Sequence, residues 1–337
     1  MKINQNLNEI SFNRSSLISK ILIVKILLLL SVFIIFQQDG FAQESSNYVM
    51  YRNGMHSYNP GASGLFHKHR TSINAKYYPY TFYGSDIKSV SLFFDQKVAK
   101  LKGGIGFSYT YDVMDEFRFN HSFGMSYAYH FDMGNAGTLG AGVYFGMITC
   151  KLISLLDTST IQPVFLPGLA YRYGNLDFGI SIGLRHKDFA LLEKDLNIFN
   201  YPTINIFSSY KFYMGPKFSL TPSVYAVFYP KTEADRYFGN KMLPNYNFSL
   251  TANFSERFWI GAAYIHNYVR GYYAQSHFLY WDGLHIFAGV DIKGKYTIGV
   301  SAVPKIYTEV YGNDSPRFLY SEFVIAYKLG NDKLEKN

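Results

Sequence analysis

Residues 104–111 separate into two sets: Ile105, Phe107, Tyr109 and Tyr111 in one, Gly104, Gly106, Ser108 and Thr110 in the other. Strict alternation is the pattern of a strand, whose successive side chains point to opposite faces; the 3.6-residue period of a helix would scatter it. A ring-rich apolar face backed by Gly, Ser and Thr suits a sheet with lipid on one side and a crowded or wet lumen on the other. The pattern returns in Phe119, Phe123, Met125, Tyr127, Tyr129 and Phe131, opposite Asn120, Ser122, Gly124, Ser126, Ala128 and His130. It returns again in Phe178, Ile180, Ile182 and Leu184, in Tyr246, Phe248 and Leu250, and in Tyr296, Ile298 and Val300. The fold this predicts is all-β: a transmembrane antiparallel β-barrel.

Fourteen strands are predicted, at 71–83, 86–95, 102–111, 118–131, 136–149, 164–173, 176–186, 201–213, 217–229, 244–254, 257–268, 282–292, 295–304 and 316–329. Alternation is blurred in the first two and in 201–213, where Pro79 and Pro202 fall, which leaves counts of twelve or sixteen open. Connections after even-numbered strands are short: Gln96 to Leu101, Asp132 to Asn135, Gly174-Asn175, Met214 to Pro216, Ser255-Glu256 and Lys293-Gly294. Those after odd strands, the first apart, are as long or longer: Asp112 to Phe117, Cys150 to Pro163, Lys187 to Asn200, Pro230 to Leu243, Val269 to Trp281 and Lys305 to Ser315. Short periplasmic turns and longer extracellular loops are the habit of bacterial outer-membrane barrels. The 31 Tyr, 30 Phe and 28 Gly, beside only 17% charged residues, fit aromatic girdles and small lumen-facing positions.

The first 42 residues read as a signal peptide. A basic start precedes an apolar core from Ile21 to Phe36, broken only by Lys25 and Ser31, and Gly40-Phe41-Ala42 supplies the small residues a signal peptidase requires before Gln43. The organisation expected is a leader at 1–42, an N-terminal periplasmic or lumen-docked segment at 43–70, the barrel at 71–329 and a C-terminal tail at 330–337. Removing the leader leaves 28 basic and 22 acidic residues, about +6, a balance suited to anionic lipid headgroups or anionic solutes. No basic stripe appears in the sequence, so nucleic acid is not expected as a partner. Cys150 is the only cysteine, which excludes a disulfide, a zinc cluster and a lipidated cysteine after the leader.

The segment Asn47-Tyr48-Val49-Met50-Tyr51-Arg52-Asn53-Gly54-Met55-His56-Ser57-Tyr58-Asn59-Pro60-Gly61-Ala62-Ser63-Gly64 resembles the opening of the PorP/SprF family, with Asn59, Pro60, Ala62 and Gly64 matching its Y-N-P-A-x-A-G stretch. Gly103 to Ser108 is similar to the Gly-rich third strand of that family, and Pro167 to Tyr173 followed by Leu176 to Ser181 to its mid-barrel hairpin. The resemblance implies an outer-membrane component of type IX secretion and gliding machinery that pairs with secreted proteins or adhesins. Its expected partners are a secreted surface protein with a C-terminal sorting domain, other secretion components and outer-membrane lipid.

Whatever its role, Tyr58-Asn59-Pro60-Gly61 is a turn, because Pro fixes one dihedral and Gly permits a positive one. Two readings of this segment stand: a segment folded against the lumen, with Tyr48, Tyr51 and Tyr58 as anchors and Asn59, Pro60 and Gly61 as the turn, or a mobile periplasmic tail. The first is favoured, since so aromatic a stretch is costly to leave solvated.

Enzymatic chemistry has little to stand on. His121 and Ser122 are adjacent but point to opposite faces of a strand, so they cannot form a nucleophile and base with each other, and no Gly-x-Ser-x-Gly elbow occurs. His67 and His69, two apart, would share a strand face, but two nitrogens make a weak metal site; a solvated segment before the first strand is the better reading, and no metal or cofactor is expected. Glu322, Lys328 and Asp291 fall on the lumen face, where they could line a solute path or cross-brace a filled barrel; His266 falls on the lipid face near the outer end. The connection at 269–281 concentrates Arg270, Tyr272, Tyr273, Phe278, Tyr280 and Trp281, residue types enriched at protein interfaces, and equally those of a girdle extended above the membrane. The reading is a non-enzymatic outer-membrane barrel that supports secretion or surface attachment of a partner such as an adhesin. The competing reading is an outer-membrane diffusion channel or hydrophobic-solute transporter.

Overall fold

The computed structural model describes residues 50–78, 87–114, 118–152, 158–185, 203–228, 245–255, 257–266, 268–269, 279–280, 283–302 and 321–329. Fourteen antiparallel strands follow one another: β1 (His69–Tyr78), β2 (Ile87–Val98), β3 (Gly103–Met114), β4 (Arg118–Asp132), β5 (Thr138–Leu152), β6 (Thr158–Tyr173) and β7 (Leu176–Arg185) in the first half. Then come β8 (Thr203–Tyr210, continued by Phe212–Tyr213), β9 (Phe218–Phe228), β10 (Asn245–Phe254), β11 (Phe258–His266), β12 (Gly283–Ile292), β13 (Tyr296–Ala302) and β14 (Ser321–Leu329). Each pairs with its sequence neighbours, and β14 returns to β1 in a ladder from His69↔Leu329 to Tyr77↔Ser321, which closes the sheet and leaves no free edge. Among the described residues no helix is long and apolar enough to cross a membrane; the strands are the spanning elements.

The two faces differ as the alternation requires. Met125 is 66% exposed and Phe145 63% exposed on the outer face, whereas Ser91 and Asn74 on the inner face are wholly buried. In β14 the exposed Ser321, Phe323 and Ile325 alternate with the buried Glu322, Val324 and Ala326. Register makes continuous rows of lumen residues from this: Ser301, Glu322, Lys76 and Ser89 sit side by side across β13, β14, β1 and β2.

The hairpin of β5 and β6 is longer than the sequence indicates. The stretch from Cys150 to Pro163, read as a loop, is mostly paired strand: Leu152 lies opposite Thr158 and Cys150 opposite Thr160, so only 153–157 separate the two. Neither Pro163, at the end of the predicted loop, nor Pro167, inside the predicted strand 164–173, breaks the ladder to β5. The pairing of β6 with β7 begins at Val164 and skips Leu166 and Pro167, so neither proline is asked for an N–H it lacks. A similar gap interrupts β8 at Lys211, where the β9 residues skipped by the pairing include Pro222.

The chain enters β1 and leaves β14 at one end of the barrel, and the connections after β2, β4, β6, β8, β10 and β12 turn at that same end. Left-handed residues make them tight: Lys102 (φ 46°), Ser255 (φ 52°) and Lys293 (φ 54°), with Gly174 and Gly294 also at positive φ. This short-turn end is the periplasmic one in bacterial barrels. The leader and most of the long connections lie outside the described residues.

Candidate functional site: a segment seated in the lumen

Residues 50–66 lie inside the barrel. They form a 3₁₀ turn at Tyr51–Gly54, a single α turn at Met55–Tyr58 and a second 3₁₀ turn at Pro60–Ala62. Asn59 stands between the last two in an extended conformation (φ −144°, ψ 101°), the geometry imposed on a residue that precedes proline. Its side chain does two jobs: Oδ1 accepts from the Gly61 N–H at 3.0 Å, closing the turn, and Nδ2 donates to the Leu169 carbonyl at 2.9 Å, fastening the turn to β6.

The wall beneath this turn is made of glycines. A Cβ on Gly104 would collide with the Ser63 carbonyl, one on Gly140 with the Gly61 carbonyl, one on Gly142 with Pro60, and one on Gly168 with the Asn59 side chain. The reverse holds as well, since a Cβ on Gly61 would lie 2.6 Å from the Ala170 nitrogen and the Gly140 oxygen. Strands β3, β5 and β6 thus offer bare backbone at the level where residues 59–64 run past, and the two backbones approach as closely as only glycine permits.

Polar groups fix the segment along its length. The Ser63 hydroxyl meets that of Ser126 at 2.7 Å, His130 donates from Nε2 to the Ser63 carbonyl at 2.8 Å, and the Gly64 N–H donates to Asp95 at 2.5 Å. Arg70 donates to the Arg52 carbonyl at 2.5 Å and Arg172 to the Phe66 carbonyl at 3.0 Å, so two guanidinium groups of the wall hold main-chain oxygens. Arg52 pairs with Asp177 at 2.9 Å, and the Met50 N–H points to Glu322 at 3.3 Å. The buried His56 ring lies against Gly106, with Nε2 3.0 Å from the Phe107 carbonyl. Burial holds its pKa down at about 4, opposed by that hydrogen bond and reinforced by the Arg70 guanidinium, so at neutral pH the ring is uncharged and Nε2 carries the donated proton.

Of the anchors expected from sequence, Tyr58 stacks at a tilt on Tyr225 with centroids 5.4 Å apart, and Asn59, Pro60 and Gly61 are buried. Tyr51 opens the first 3₁₀ turn, its side chain outside the described residues, as is Tyr48 entirely. Phe66 meets Phe207 edge-on at 6.0 Å, and the sequence reading missed it. In the expected partner loop, Tyr280 belongs to a two-residue strand, Leu279–Tyr280, paired with Tyr268–Val269; Arg270, Tyr272, Tyr273, Phe278 and Trp281 lie outside the described residues.

Lys328 reaches Asp291 at 3.5 Å, a brace between wall strands, and Asp291 also accepts from the Thr297 hydroxyl. His121 faces outward, stacked on Tyr111 with centroids 4.8 Å apart and bonded to the Tyr109 hydroxyl at 2.9 Å, while Ser122 is on the lumen side between Thr110 and Ile148. His67 precedes β1, as the pre-strand reading has it, whereas His69 opens the strand, its ring against Phe94 and Tyr327 at the outer wall. Among the described residues no three His, Cys, Asp or Glu gather as metal ligands.

The glycine track is the part of the site that sequence reasoning did not find. Gly104, Gly140, Gly142 and Gly168 were legible as small lumen-facing residues, and their coincidence with an Asn-Pro-Gly turn upstream was the available signal.

No curated protein matches the chain. Among solved structures it is similar to Omp33 of Acinetobacter baumannii (9% identity, 79% of this chain and 100% of that one, TM-score 0.45). It is similar also to the toluene transporter TodX of Pseudomonas putida (11%, 86% and 99%, 0.46) and to a FadL homologue of Pseudomonas aeruginosa (11%, 86% and 99%, 0.44). At such identities and scores these likenesses carry no argument about this chain. The family comparison reaches further: the model for type IX secretion system membrane proteins PorP/SprF matches residues 40–307, most of the barrel together with the lumen segment. The chain belongs to the PorP/SprF family of type IX secretion system membrane proteins.

Proposed function

We propose that this barrel acts without catalysis in type IX secretion, helping a secreted surface protein that bears a C-terminal sorting domain to reach or stay on the cell surface, with its own N-terminal segment serving as a lumen plug. The observation that carries the reading is the seating of residues 59–64 on the glycine track, where two backbones meet without side chains between them. A diffusion pathway needs a continuous wet bore. A bore occupied by the protein's own chain leaves the two ends of the barrel as the surfaces on which a partner acts, and the outer connection at 269–281 has the Tyr, Trp and Arg content of an interface.

The test has two arms. In planar bilayers the mature barrel is expected to show no steady conductance, and deletion of residues 50–66 to open one. On cells, Y272S/Y273S/F278S is expected to release the surface protein into the medium with barrel levels unchanged. Steady conductance of the intact barrel, together with full retention of the surface protein by the triple variant, would establish the channel or solute-transporter reading instead.

A further inference from the structure

Basic residues that are scattered in the sequence come together at the short-turn end of the barrel. The end of β2 and the β2–β3 turn expose Lys97, Lys100 and Lys102, and the β12–β13 turn exposes Lys293 and Lys295. Lys68, just before β1, stands between them around the rim, and Arg257 and Lys217, in the β10–β11 and β8–β9 turns, extend the row beyond the β12–β13 turn. All are exposed, and none forms an ion pair among the described residues. The exposed carboxylate described at this end is Asp132, which lies outside the arc; the half-buried Asp291 within it is paired with Lys328, and Glu256, Asp332 and Glu335 lie outside the described residues.

The charge is one-sided. Strand order places the basic turns in succession, from β8–β9 through the closure of β14 on β1 to β2–β3, whereas the β4–β5 and β6–β7 turns, with Asp132, Asn135, Gly174 and Asn175, carry no basic residue. Lipid surrounds a barrel on all sides, so headgroups alone give no reason for such a gap. Lys102 and Lys293 hold left-handed backbone conformations in tight turns, which keeps the cations on a fixed scaffold. Lys97 and Lys68 adjoin where the lumen segment leaves the barrel, with the Lys97 N–H donating to the Lys68 carbonyl at 3.0 Å, so the arc extends to the mouth of the bore.

From this arrangement we propose that the arc from the β8–β9 turn to the β2–β3 turn is a docking surface for an acidic polypeptide on the short-turn side of the membrane. Several fixed cations and few competing carboxylates speed encounter with such a partner and orient it, and salt screens the attraction.

The test uses the full mature barrel in phosphatidylcholine nanodiscs, with fluorescent poly-L-glutamate as the probe. Binding is expected to weaken about tenfold between about 50 and about 300 mM salt. The rim variant K97Q/K100Q/K102Q/K293Q/K295Q is expected to weaken it at least tenfold, while K187Q/K194Q/K231Q/K241Q/K305Q, which removes as many cations from the long connections, leaves it within about twofold. Equal binding by the parent and the rim variant overturns the proposal, as does an equal loss in the control. A third result also overturns it: in nanodiscs containing about one-third phosphatidylglycerol, native mass spectrometry finds that lipid lost from the rim variant while its poly-glutamate binding is unchanged. Anionic headgroups would then be the occupants.

Discussion

Two parts of the inner wall use glycine in opposite ways. At β11–β13 the wall fills its own hollows: the Trp259 ring lies over Gly289 and Gly299, Phe287 lies over Gly261, and the two rings are 6.0 Å apart. At β3, β5 and β6 the hollows over Gly104, Gly140, Gly142 and Gly168 are filled by residues 59–64. A side chain fills the first region as soon as the sheet forms. The second is complete only when the N-terminal segment arrives, so damage there should release the segment and damage at β11–β13 should loosen the wall.

The largest expected effect is therefore at Gly140. A valine there meets the Gly61 carbonyl, a backbone atom with nowhere to move, and should cost docking about 3 kcal/mol or more. Limited proteolysis of the assembled barrel would read this as rapid cleavage within 50–66. The converse is Trp259→Ala, expected to lower barrel stability by about 3 kcal/mol in a denaturant titration and leave the protease resistance of the segment unchanged. Cleavage of both variants at the same rate would erase the distinction between the two regions. Asn59→Ala leaves the Gly61 N–H and the Leu169 carbonyl without their partner, and should weaken docking by about 2 kcal/mol with no effect on the wall.

The smallest effect is one of pH. His56 is neutral in the docked segment because burial holds its pKa at about 4, below the ordinary 6.5 of the released segment. Its contribution is complete above pH 6.5 and is lost as pH falls from 6.5 towards 4, the loss reaching about 1.4 kcal/mol at pH 5.5. Between pH 7.5 and pH 5.5 the parent should lose protease protection relative to His56→Asn by this amount, and equal pH profiles of the two would contradict it.

The strands were legible because lipid enforces the outward half of the alternation: Phe107, Phe123 and Phe178 have to face away from Gly106, Gly124 and Gly179 wherever the sheet is a barrel wall. The Asn59-Pro60-Gly61 turn was legible for a local reason, the fixed φ of proline. Neither the glycine track nor the basic arc could be read in the same way, because each joins residues far apart in sequence. Gly61 meets Gly140 and Ala170, and Lys68 stands beside Lys97, through barrel closure and register alone. Thr158 to Pro163 was misread for a third reason: proline in a strand is tolerated where no ladder bond is required of it, which depends on the neighbouring strand.

The most direct test of the account is a disulfide between the segment and the wall. Ser63 and Ser126 place their hydroxyl oxygens 2.7 Å apart, one on the N-terminal segment and the other on β4. With Cys150 replaced by serine, S63C/S126C in outer membranes under mild oxidant is predicted to cross-link nearly completely, so that a maleimide reagent finds no free thiol. Two freely modified thiols in an otherwise folded barrel would contradict the seating of the segment, and with it the plugged-barrel reading of the function.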